Sequence, residues 1–164
     1  MTSFDQSYLT QFVHNLRLCE KAADNLEFTL SRLQEFFPLD DERLANLSRE
    51  TVEKLDAMSA RFSRLQDLLG DRLFRSLMLL ESEPRQRFLD VLNLMENRGI
   101  IESTQKWIEL RNMRNEASHG YIDDIARLAG VLTSLFEQAP ALIETVGRVR
   151  QYATSVLQVC CNNY

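Results

Sequence analysis

Apolar residues recur along almost the whole chain at steps of three or four, the period of an amphipathic helix, and nowhere at the alternating positions a half-buried strand needs. Leu9, Phe12, Val13, Leu16, Cys19, Ala23, Leu26, Leu30 and Leu33 predict a long first helix between Tyr8 and Phe37, ended by Pro38 and the turn-forming Asp40 and Asp41. A second region opens at Ser48, whose hydroxyl suits a cap, and carries Val52, Leu55, Met58, Phe62, Leu65, Leu68 and Leu69. Gly70 interrupts the pattern and Leu73, Phe74, Leu77 and Leu80 resume it, which predicts one long helix bent near the glycine.

Ser82-Glu83-Pro84 reads as a helix start with Pro84 in the first turn, and Phe88, Leu89, Val91, Leu92 and Met95 carry a short helix to a stop at Gly99. Ser103 is placed to cap the next helix, which runs through Ser118 and stops at Gly120. Ile125, Leu128, Leu132 and Leu135 form one face of a further helix, Pro140 is expected to break or kink it, and Leu142, Val146, Val149 and Val156 continue the period. Antiparallel helices with short connections give an all-α, up-and-down bundle, read as a single domain over residues 1–164.

Composition narrows the function classes. A chain of 164 residues with 45% hydrophobic residues, five Gly and three Pro can bury a core without disulfides or metals. The net charge of −5 argues against a general nucleic-acid coat protein and confines any RNA binding to a local basic cleft. Cys19, Cys160 and Cys161 have no paired metal-ligand spacing, so no metal or other cofactor is expected and a reduced, cytoplasmic setting fits. No basic region followed by an apolar run opens the chain, and no apolar stretch is long enough to cross a membrane, so no membrane partner is expected. His14 has no ligand partner at i+4 and reads as a solvated surface residue.

The densest chemistry lies at the end of the Ser103 helix, in Arg111-Asn112-Met113-Arg114-Asn115-Glu116-Ala117-Ser118-His119-Gly120-Tyr121. Arg114 is always charged, His119 titrates near neutrality and Tyr121 supplies a phenol. At about 100° per residue Trp107, Leu110, Met113 and Ala117 form the apolar face, Asn112, Asn115 and His119 share a polar stripe, and Arg114 sits at the edge of the apolar face. Arg114 and His119 then point about 140° apart. They converge on one ligand only if the last turn opens or if a second copy brings its own pair, and the latter predicts a symmetric dimer. The plainer alternative keeps His119 at the negative end of a helix dipole, Tyr121 in the core, and Arg114 paired with Asp123 or Asp124.

The run R-N-E-A-S-H-G-Y resembles the signature of the HEPN superfamily, in the R-x-x-x-x-H-x-Y form of the HepT-like toxins and their nucleotidyltransferase-linked relatives. Arg61-Phe62-Ser63-Arg64-Leu65-Gln66-Asp67, Gly70, Leu73, Phe74, Asp90-Val91-Leu92-Asn93, Gly99 and Trp107 extend the likeness over roughly residues 50–125. Ser118 stands where relatives commonly carry Ala, and the chain continues well past the motif.

The resemblance implies an all-helical homodimer that cleaves RNA without a metal, with Arg114 and His119 as the catalytic pair and Asn115 in the polar position after the arginine. His119 would take the 2′-hydroxyl proton as that oxygen attacks the adjacent phosphate, and Arg114 would hold the phosphate oxygens. It also implies a minimal nucleotidyltransferase antitoxin that transfers AMP to Tyr121. Arg61, Arg64 and Arg111 are candidate RNA contacts beside a solvated-surface reading. Two further alternatives stay open: a non-catalytic helical partner of a nucleotidyltransferase, and a plain helical dimer with a purely structural motif.

Overall fold

The computed structural model describes residues 5–84, 87–118 and 123–159, and these are all helix and connection, with no strand among them. Helix α1 spans Gln6–Ser31, a 3₁₀ turn follows at Gln34–Phe36, and short α2 is Asp41–Ala45. Helix α3, Arg49–Asp67, runs through a π-helical turn at Leu68–Leu73 into α4, Phe74–Leu80. Then come α5, Phe88–Asn97, α6, Thr104–Ser118, and α7, Ile125–Ser155. None of these helices is long and apolar enough to cross a membrane.

Local signals set most of the boundaries. Ser48 caps α3 by accepting the Thr51 amide at 3.1 Å, Ser103 accepts the Lys106 amide at 3.0 Å at the start of α6, and Asp124 accepts the Arg127 amide at 3.1 Å at the start of α7. Gly99, at φ +69°, lets the Ile100 amide reach back to the Met95 carbonyl at 2.9 Å, a closure of the helix end that a left-handed residue permits.

Several expected boundaries differ. The first helix ends at Ser31, six residues before Phe37, and tightens into the 3₁₀ turn. Ser82 does not start a helix. At φ +57° it ends α4, with the Ser82 amide on the Leu79 carbonyl and the Glu83 amide on the Met78 carbonyl at 3.0 Å, so these donors face backward and the next helix begins at Phe88. Gly70 marks a π turn rather than a simple bend. Pro140 does not end α7, because Leu135, Ala139, Leu142, Val146 and Val149 bury one continuous face through it, and that burial outweighs the roughly 3 kcal/mol a proline costs inside a helix.

Helix α3 lies at the centre of the packing, against α1, α6 and α7. Phe62, Leu65, Leu69, Leu73 and Phe74 are fully buried from its length and its continuation, and they meet Phe12, Leu16 and Leu26 of α1 in the single core. The connection after α1 is fixed on α7 by stacked Phe37 and Phe136 rings, 4.0 Å between centroids, and by the Leu39 amide donating to Thr133 Oγ1 at 3.0 Å. His14 is exposed. Cys19 is buried, and burial pushes its thiol up to about 12, which makes it an inert core residue at neutral pH.

Candidate functional site

The motif helix α6 is held to α3 by side chains that reach across to backbone. Gln66, 2% exposed, donates from Nε2 to the Trp107 carbonyl at 3.0 Å. Trp107 itself is buried, tilted against Phe74 with ring centroids 5.2 Å apart. Gly70 is closely approached here, since a Cβ there would stand 3.1 Å from the Phe88 ring, which would have to shift by a few tenths of an ångström, and 3.6 Å from that of Trp107, an ordinary contact. At its start α6 is tied to α5, where the Thr104 amide donates to Glu96 at 2.7 Å and the Thr104 hydroxyl to Asn93 at 3.0 Å. The Thr104 amide holds the Glu96 carboxyl below the usual range.

Arg114 is only 6% exposed. Its partner is Asp67 of α3, with Nη2 donating to Oδ1 at 2.6 Å and Nη1 to Oδ2 at 3.3 Å, and Nη1 also reaches the Ser63 carbonyl at 3.3 Å. The alternative of a pair with Asp123 or Asp124 is thereby corrected. Asp124 caps α7, both of these aspartates are exposed, and the face of α6 that carries Arg114 turns inward to α3. Placement at the edge of the apolar stripe is what makes Arg114 a buried ion-pair residue. The two Nη groups form the fork that a phosphate would use, and Asp67 occupies it.

The other predicted site residues are dispersed. Asn115 is exposed, and Arg111 is exposed with its guanidinium 5.4 Å from the centroid of the Phe88 ring, a cation–π contact that Arg75 makes at 6.0 Å on the same ring. Glu116 forms an ion pair with Arg127, which ties the end of α6 to the start of α7 across the motif. His119 and Tyr121 lie outside the described residues. Arg61 and Arg64 stand on a different side of α3, facing α1. Arg61 donates to the Asn25 carbonyl at 2.9 Å and to the Thr29 hydroxyl, while Arg64 is exposed.

Asp67 and Gln66 are the residues that the chemical reading of the motif passes over, although both lie in the stretch that carries the resemblance. Their signal is positional. Ser63, Gln66, Asp67 and Gly70 recur at three and four, a small-and-polar stripe along one side of α3, and such a stripe marks a close helix contact. Among the described residues no group of three or more His, Cys, Asp or Glu side chains is placed to hold a metal ion. Neither known protein families, nor curated proteins, nor solved structures give a match to the chain.

Proposed function

We propose that the chain is a metal-independent endoribonuclease toxin that cleaves RNA by 2′-hydroxyl attack, as an up-and-down helical bundle whose symmetric dimer brings two motifs together. The observation that carries the reading is the sequence run from Arg114 to Tyr121, whose first residues lie on a helix bound to α3 through Gln66 and Asp67. His119 is the general base, and the partner copy's His119 is the candidate acid for the leaving 5′-oxygen. A substrate phosphate competes with Asp67 for the Arg114 Nη groups, so part of its binding energy goes into displacing a carboxylate. A minimal nucleotidyltransferase silences the enzyme by adding AMP to Tyr121, a bulky anion two residues from His119.

One observation favours a second reading. The Arg114 fork is already filled by Asp67, which suits a non-catalytic helical partner that presents Tyr121 to a nucleotidyltransferase. Incubation of a mixed RNA pool with purified protein in chelator separates the two. Cleavage by the parent that falls about 10²–10⁴-fold in His119→Ala is the expected result. Equal cleavage by both proteins points to a contaminant and sinks the catalytic assignment. No cleavage by the parent, with Tyr121 unmodified by mass spectrometry, leaves the non-catalytic reading.

A further inference from the structure

Between α1 and α3, on the side of α3 away from Arg114, lies a cleft of about 560 Å³. Lys21 of α1 and Arg61, Arg64 and Arg72 of the α3 region line it, with Asn25, and no carboxylate does. Among the described residues none of these four cations is in an ion pair, whereas Arg32, Lys54, Arg98, Lys106, Arg114, Arg127, Arg148 and Arg150 all are. Glu20, next to Lys21 in sequence, pairs with Arg150 of α7, and Asp24 and Asp71 do not line the cleft. Among the described residues Arg17, Arg43, Arg49, Arg75, Arg87 and Arg111 are in no ion pair either, but in a chain of net charge −5 four such cations share this one cleft with no carboxylate in its lining.

At about 100° per residue Arg61, Arg64, Leu68 and Arg72 fall within about 80° of one another, and Leu68 and Arg72 of the π turn line the cleft together with the two arginines of α3. The stripe from Arg61 to Arg72 is about 16 Å long, more than one phosphate needs. No aromatic side chain lines the cleft, so it offers no platform for stacking bases, and its floor is Leu18, Ala22 and Leu68.

We propose that this cleft binds the phosphate backbone of a single RNA strand through Lys21, Arg61, Arg64 and Arg72. Arg61, bonded to α1, fixes the width, and the three exposed cations supply the adaptable contacts. Binding in the cleft is independent of cleavage. That the strand is a substrate on its way to the motif rests on the nuclease reading.

The test is fluorescence anisotropy of the full chain with a labelled mixed-sequence RNA made uncleavable by 2′-O-methylation, titrated across salt concentrations. The comparison protein is the triple variant Lys21→Gln, Arg64→Gln, Arg72→Gln, shown to be folded by circular dichroism. Affinity of the parent falls with salt, and the triple variant loses about 2 from the slope of log K against log salt, at about 0.7 per phosphate contact, together with at least tenfold in affinity at low salt. No binding by the parent, or an unchanged slope and affinity in the folded variant, overturns the proposal. Displacement of the RNA by millimolar ATP, or by an equal charge of poly-glutamate, overturns the choice of a strand in favour of a free nucleotide or an acidic protein segment. Cleavage of unmodified RNA is scored separately. A parent that binds but does not cut removes the nuclease and keeps the cleft, and a parent that cuts while the variant binds equally removes the cleft and keeps the nuclease.

Discussion

The two sides of α3 use arginine in opposite ways. Toward α6, Arg114 is buried and its fork is filled by Asp67, and Gln66 adds a second tether to the same helix. Toward α1, only Arg61 is tethered, while Arg64 and Arg72 are exposed at a cleft whose lining holds no carboxylate. Sequence places Arg61, Arg64, Gln66, Asp67 and Arg72 on one helical region and Arg114 on the motif helix. What separates a structural arginine from a binding one is whether the facing helix supplies an anion, and that is a property of packing rather than of residue type.

The largest expected effect tests this division directly. Asp67→Ala leaves the Arg114 guanidinium buried without its carboxylate. Loss of one partner from a fully buried pair costs about 3–5 kcal/mol, but the Asp67 side chain is 51% exposed, so a loss of about 2 kcal/mol in urea unfolding is expected. Arg64→Ala on the other side should stay within about 0.5 kcal/mol. Equal losses from the two substitutions would end the distinction between the sides.

Most of the helical frame was legible from period and caps alone. Ser48, Ser103 and Gly99 act where their chemistry predicts, because a cap is a local event settled within three or four residues. Pro140 marked a break or a kink, and the break does not occur, for the opposite reason. Its cost is local, whereas the face that overrides it is assembled from α1, α3 and α6. Gly70 signalled an irregularity, but the Phe88 and Trp107 rings that close on it come from helices that lie later in the chain. The motif was legible as chemistry and Arg114 as lying at the edge of the apolar face. Its partner was not, since Asp67 is 47 residues away and one of many acids at helical spacing.

A smaller effect comes from Gln66. Its Nε2 holds the Trp107 carbonyl, yet its Oε1 is buried with no hydrogen-bond partner among the described residues. Gln66→Met removes a hydrogen bond of about 1 kcal/mol and at the same time removes an unsatisfied buried oxygen, so the net change should lie within about 1 kcal/mol. A loss near that of Asp67→Ala would show that the tether from Gln66 holds α6 to α3 as firmly as the ion pair does.

The smallest effect concerns where α6 begins. Glu96 accepts the Thr104 amide, and this contact holds its folded pKa below the unfolded value of about 4.3. A depressed carboxyl stabilises the fold above the unfolded pKa, and that contribution is lost as pH falls through the folded one. In Glu96→Gln the amide oxygen can still accept the Thr104 N–H but no longer titrates. Thermal unfolding of the parent should therefore fall more steeply below about pH 5 than that of the variant, and the two curves should converge in acid. Asp5 and Glu50 are also held low, by Ser7 and by Lys54, and titrate identically in both proteins, so the difference between the curves isolates Glu96. Parallel curves would mean that the Glu96 charge adds nothing to the start of α6, leaving its position to the Ser103 cap, the Thr104 hydroxyl on Asn93 and the packing on α3 and α7.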